Sequence, residues 1–111
     1  MSTIKSEFLN KHCKPCEGGM PPFTREESEQ ALLELHKDWT LKDYWLERFF
    51  LFKSFQESLD FVNKVGKLAE EEWHHPDITI QYNKVTLKLW THAIGGLSEN
   101  DFILSAKIDK L

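Results

Sequence analysis

Cysteine is nearly absent from this 111-residue chain: there are two, Cys13 and Cys16, both in a leader rich in Pro and Gly. A disulfide framework holding the whole domain is excluded, so stability has to come from packing. Long apolar runs are missing as well, and nothing approaches the ~18 consecutive residues of a membrane-spanning helix. Met1 to Asn10 carry no apolar stretch of signal-peptide length, which makes a soluble, cytoplasmic protein the expectation. Positive charge is short too: 14 Lys and Arg against 18 Asp and Glu leave a net charge of −4, with no basic run or stripe to offset it. A direct nucleic-acid ligand is therefore not expected. Gly-rich phosphate loops, Ser or Cys nucleophile motifs, dinucleotide fingerprints and internal repeats do not occur.

Aromatic and aliphatic residues are present in quantity, with eight Phe and four Trp. A chain of this length and composition has room for one domain around one modest core. Residues 1–23 hold Cys13, Pro15, Cys16, Gly18, Gly19, Pro21 and Pro22, a density of turn formers that predicts an irregular arm. The domain proper, 24–111, opens at Thr24, which stands three residues before Glu27 in the spacing of a capping box. Ala31, Leu32 and Leu35 follow at helix period, predicting a first helix to about His36. Between Trp39 and Lys53 the aromatic-rich pattern predicts two short strands joined by a tight connection, with Phe50 and Phe52 on one face and Phe49 and Leu51 on the other.

Ser54 and Glu57 repeat the capping-box spacing, and Leu59, Val62, Val65, Ala69 and Trp73 recur at intervals of three or four. This is the strongest helix signal in the chain, and Pro76 is expected to end it after His74 and His75. Ile78, Ile80 and Tyr82, then Val85, Leu87 and Leu89, alternate with polar residues as two strands meeting at Asn83-Lys84, with the second running on through Thr91 and His92. Ser98 and Asp101 mark a third helix start, with Leu104, Ile108 and Leu111 at helix spacing. The order α-β-β-α-β-β-α contains no βαβ repeat. It predicts an α+β single domain: a four-stranded antiparallel sheet with helices packed on one face.

Three of the five histidines fall at the ends of adjacent elements, His74 and His75 after the long helix and His92 at the close of the last strand. Such ends are where side chains converge on clefts. Alternation sets His92 on the face of Thr86, Lys88 and Trp90, opposite the apolar Val85, Leu87 and Leu89. A His₃ zinc site is disfavoured, because two consecutive residues do not project from one helix face. Neither a metal nor an organic cofactor is expected, and acid–base work on a neutral small molecule is the simplest use of the set. A structural role for any one of these histidines remains the competing reading at this stage.

From Glu70 through His74-His75-Pro76, Tyr82 and His92 to Asp101, the residue types and intervals resemble the signature of the pterin-4a-carbinolamine dehydratases. The resemblance spans about residues 24–110, and the element order is similar to that family's fold. It implies dehydration of 4a-hydroxytetrahydropterin to the quinonoid dihydropterin, the recycling step after an aromatic amino acid hydroxylase has used its cofactor. An acid must protonate the departing C4a hydroxyl and a base must take the proton from N5. Imidazole suits both roles, since its ordinary pKa of about 6.5 lies near operating pH. The resemblance makes His74, His75 and His92 the catalytic candidates and Trp73, Pro76, Thr91 and Asp101 the substrate-binding set. Pro76 would shape the pocket wall and Thr91 would meet the polar edge of the pterin. Asp101 has two readings, orienting a histidine or capping its helix from the third position. Trp73 stands where some relatives carry a polar residue, which leaves it to stack or pack.

His12, Cys13 and Cys16 suggest metal or redox chemistry, but a fourth ligand is lacking and no helix start follows to activate a thiol. Similar leaders occur in part of the family, so an arm packed on the domain is expected. Relatives are dimers or tetramers, and exposed apolar strand residues agree with a homodimer or homotetramer. Two rival functions stand beside catalysis: a non-catalytic dimerisation or assembly cofactor on the same fold, and a metal-dependent hydrolase.

Overall fold

The computed structural model of the protein describes residues 7–14 and 21–111; Pro15, Cys16, Gly18 and Gly19 of the leader lie outside the described residues. The element order is α1 (Arg25–Leu32), β1 (Thr40–Leu41), β2 (Leu46–Leu51), α2 (Phe55–Glu72), β3 (Asp77–Gln81), β4 (Lys84–Leu89) and α3 (Glu99–Ile108). Short 3-10 helices occupy Glu7–Asn10 in the arm and His92–Ile94 after β4. The sheet runs β1-β2-β4-β3 and every neighbouring pair is antiparallel. This is the α+β architecture expected from the sequence.

Thr24 and Glu27 form the reciprocal cap of α1: the Thr24 hydroxyl accepts from Glu27 N–H at 3.1 Å, and the Glu27 carboxylate accepts from Thr24 N–H at 2.8 Å. The helix stops at Leu32, short of the end expected near His36, because Leu33, Glu34 and Leu35 tighten into three-residue turns on Gln30, Ala31 and Leu32.

Strand register sorts the sheet into two unlike faces. Leu46 lies opposite Leu89, Phe50 opposite Val85, and Leu87 opposite Ile78. These residues belong to one side, where they pack against Val65 and Phe61 of α2 and against the buried residues of α3. The Phe61 ring sits 4.5 Å from Phe50 and 5.2 Å from Phe52. Phe49 and Leu51 point from the other face and are exposed. α3 is buried around most of its circumference, from Asn100 through Ala106 and again at Ile108. The arm covers its outer side, with Phe8 and Phe23 stacked on Phe102 at 6.0 and 5.7 Å. Leu111 lies beyond α3 and is exposed, so it does not extend the apolar stripe.

Three local expectations are corrected. α2 ends at Glu72, before the histidine pair, and the reversal is made by Trp73 in the left-handed conformation (φ 52°, ψ 44°) rather than by Pro76. His74 N–H then reaches back to Ala69 O at 3.1 Å, the long-range bond of a left-handed helix terminus. The β3–β4 turn is Tyr82–Asn83, and Tyr82, not Asn83, takes the positive φ of 54°. Asn83 is committed elsewhere: it binds the end of β2 through Phe52 N–H (2.8 Å) and Phe52 O (3.0 Å). Finally, β4 closes at Leu89, so His92 opens a 3-10 turn instead of ending a strand. That turn is held by Thr91 N–H bonding Gly96 O at 2.7 Å.

Candidate active site

The left-handed turn at Trp73 carries His74 inward and His75 outward. His74 Nε2 lies 2.7 Å from Asp101 Oδ1, with the histidine side chain mostly buried and Asp101 wholly so. Asp101 Oδ2 accepts twice more, from the Thr91 hydroxyl at 2.8 Å and from Ser98 N–H at 2.9 Å. One Asp101 oxygen thus caps α3 and the other meets the histidine. An ionised carboxylate only accepts, and a neutral His74 facing one carries its proton on Nε2 and the lone pair on Nδ1. Thr91 gives its single hydroxyl hydrogen to Asp101, so the Ser98 hydroxyl, 2.7 Å away, donates to Thr91. The network has no idle hydrogen.

His75 is half-exposed and bonds Glu70 Oε2 at 2.5 Å through Nε2, with the Trp73 ring edge-on at 5.1 Å. His92 is exposed and rests on Trp90, the ring centroids 4.3 Å apart. All three histidines line one open cleft of about 410 Å³, together with Trp73, Trp90, Thr91, Ala93, Lys14 and Asn100. Of the residues proposed from sequence, the cleft thus gathers His74, His75, His92, Trp73 and Thr91 at its surface. Pro76 is not among its lining residues, and Asp101 stands behind His74 with no surface of its own.

Sequence reasoning did not find Lys14, Asn100 or Glu72. The Asn100 amide clasps the arm backbone in both directions, accepting from Lys14 N–H at 2.9 Å and donating to Lys14 O at 2.6 Å. Glu72, the last residue of α2, accepts from Cys13 N–H at 2.8 Å and faces His12 Nδ1 at 2.9 Å and Lys107 Nζ at 3.5 Å. Burial works against its charge, but the Cys13 N–H, His12 and Lys107 together outweigh burial and hold the carboxyl below its ordinary value. Cys13 shows the opposite effect: burial first, then the Glu72 and Asp101 carboxylates, push its thiol up to about 12. It is not an activated nucleophile. These contacts join residues 59 and 86 positions apart, a separation that local periodicity does not report. Among the described residues no group of three or more His, Cys, Asp or Glu side chains is arranged to hold a metal ion.

The model of the pterin 4 alpha carbinolamine dehydratase family matches residues 21–111. The chain belongs to that family. A Nitrosomonas eutropha protein named "Putative pterin-4-alpha-carbinolamine dehydratase" is 47% identical over 105 residues, covering 95% of this chain and 93% of the relative. A Chlorobaculum tepidum protein of the same name is 50% identical over 110 residues, covering 96% and 98%. Among solved structures, the transcriptional coactivator/pterin dehydratase of Brucella melitensis superposes with a TM-score of 0.75 at 31% identity, over 80% of this chain and 96% of that one. A pterin dehydratase-like RuBisCO assembly factor of the alpha-carboxysome shares the fold, with a TM-score of 0.58 at 23% identity over 68% and 89% of the two chains. Pterin-4a-carbinolamine dehydratases are lyases, and this chain is an enzyme of that class. No helix among the described residues is long and apolar enough to cross a membrane.

Proposed function

We propose that the protein dehydrates 4a-hydroxytetrahydropterin to the quinonoid dihydropterin by histidine acid–base catalysis, recycling the pterin used by an aromatic amino acid hydroxylase. The observation that carries the reading is the convergence of three imidazoles on one cleft, with one of them backed by a buried carboxylate. His74 is the base. Its Nδ1 lone pair faces away from Asp101, and the imidazolium formed when it takes the N5 proton has Asp101 as its counter-charge. His92 is the acid that protonates the departing C4a hydroxyl, since its ring makes no hydrogen bond among the described residues and is free to reach the substrate. His75, tied to Glu70 and flanked by Trp73, positions the pterin.

Trp73 and Trp90 flank the histidines and offer ring faces or edges to a flat heterocycle. Thr91 contributes a wall and donates its hydroxyl hydrogen to Asp101. Asp101 is a positioning residue, since no part of it reaches the solvent. Pro76 fixes the path out of the histidine pair into β3. The division into an arm over 1–23 and a dehydratase domain over 24–111, a cytoplasmic location, and assembly into a homodimer or homotetramer through exposed apolar strand residues belong to the same proposal.

Stopped-flow measurement of 4a-hydroxytetrahydropterin breakdown tests it. Wild type should accelerate the reaction, and folded His74→Ala should lose roughly 10²–10⁴ of that rate, the usual scale for a positioned acid or base. No acceleration by wild type would favour a non-catalytic dimerisation or assembly role on this fold.

A further inference from the structure

The cleft is finished by a residue from outside the α+β domain. Lys14 lines it, and the backbone of Lys14 is fixed on both sides by the Asn100 amide, one step from the anchoring of Cys13 on Glu72. The arm is thereby pinned at the C-terminus of α2 and the N-terminus of α3, the two helix ends that also deliver His74 and Asp101. Among the described residues the Lys14 ammonium makes no ion pair, and no Asp or Glu lines the cleft. An unpaired cation therefore stands at a lining that carries no carboxylate, the neighbouring Glu70 being engaged by His75. It is an imbalance that a negatively charged ligand group would correct.

Building on the dehydratase reading, we propose that Lys14 is a specificity-determining residue and that the substrate is a tetrahydropterin bearing an anionic group, such as a phosphate ester, on its C6 side chain. The bicyclic ring lies among the histidines and tryptophans, and the anion projects toward the arm. Asn100, on the Lys14 backbone, and Glu72, on the neighbouring Cys13 N–H, act through Lys14 by holding the arm at the mouth. Because Lys14 is exposed, the attraction is of the screened, surface kind, a modest preference that salt removes.

The probes are a 6-hydroxyalkyl-7,8-dihydropterin and its phosphate monoester, unreactive analogues that lack the 4a-hydroxyl. Their binding is followed by titration calorimetry on the full chain at pH 8, above the ordinary range of imidazole protonation. Wild type should bind the phosphate ester roughly two- to fivefold more tightly at low ionic strength, and the preference should vanish near molar salt. Lys14→Met should bring the two dissociation constants together, and Lys14→Arg should keep them apart. Glu72→Gln, which loosens the arm while leaving the ammonium in place, should shrink the preference. Equal affinities in wild type, no binding of either probe, or a preference that survives Lys14→Met would overturn the proposal. Turnover of 4a-hydroxytetrahydropterin is measured in the same preparations. Anion preference without turnover would sink the dehydratase reading and leave the Lys14 assignment standing.

Discussion

Asp101→Asn is the substitution that separates positioning from packing. The volume is conserved, and the amide oxygen can still accept from the Thr91 hydroxyl and Ser98 N–H, the two donors now 2.8 and 2.9 Å from Oδ2. Those two donors fix which way the amide turns, so its NH₂ must face His74 Nε2, 2.7 Å from the present Oδ1. A donor there forces the imidazole to accept at Nε2 and to carry its proton on Nδ1. The lone pair meant for the N5 proton then points into the protein. Stability should fall by about 1–3 kcal/mol, because one charge-assisted bond is lost and the amide brings a second N–H into a fully buried position. Turnover should fall by about 10²–10⁴, out of proportion to the stability change, as when a triad aspartate is replaced and its histidine takes the wrong tautomer. Single-turnover kinetics gives the rate, and nitrogen-15 NMR of the histidine rings reads the tautomer directly. An Asp101→Asn protein that keeps near-wild-type turnover with His74 in the altered tautomer would refute the assignment of His74 as base.

Other substitutions probe the remaining parts. His75→Ala should raise KM more than it lowers kcat, which steady-state kinetics will show, because its ring is half-exposed and paired with surface Glu70. Trp73→Gly removes a left-handed non-glycine backbone costing about 1–2 kcal/mol, offset by about 0.5–1 kcal/mol of extra unfolded-chain entropy. Denaturant melting should therefore show stability unchanged or up to about 1.5 kcal/mol higher, while pterin affinity falls with loss of the ring. The Cys13 thiol, raised from 9.0 to about 12, should alkylate roughly a thousandfold more slowly at pH 8 than a free thiol in a Cys16→Ser background. Arm docking has its own pH signature. The Glu72 carboxyl is depressed in the folded state, so its stabilisation is present above the unfolded value of 4.5 and is lost as pH falls through the lower folded value. Hydrogen exchange at the Cys13 and Lys14 amides, followed down from pH 6, should accelerate below that point before the core opens.

Elements governed by neighbours in sequence were readable in advance, and those governed by distant partners were not. The Thr24–Glu27 cap, the α2 stripe and the alternation of β3 and β4 are local, and each appears where its pattern set it. Trp73 looked like the last member of the α2 stripe, yet it is 76% exposed, because the helix ended one residue earlier by a left-handed turn usually made by glycine. The alternation set the hairpin at Asn83-Lys84, but the Asn83 side chain is taken by Phe52 across the sheet and the turn falls one residue earlier, with Tyr82 at positive φ. The histidine cluster was visible because all three members follow within three residues of the end of α2 or β4. Lys14, Asn100 and Glu72 were not, since a lysine in a loop, an asparagine in a first turn and a glutamate at a helix end each have ordinary surface explanations. Only the folded chain brings them within hydrogen-bonding distance.

A helix apolar on one side is turned to its proper angle by burial of that side, but α3 is enclosed on nearly every side and burial alone leaves its rotation undecided. What chooses the angle is the polar hardware at its first turn: Asp101 bound to Thr91, Ser98 and His74, and Asn100 bound to the arm. The atoms that index this cylinder in its socket are therefore the same ones that hold the His74 imidazole, the proposed base. A sequence that replaced Asp101 would also loosen the rotational setting of Phe102, Ile103 and Leu104 in the middle of the core. The domain has a single keyway, shared by its chemistry and its architecture.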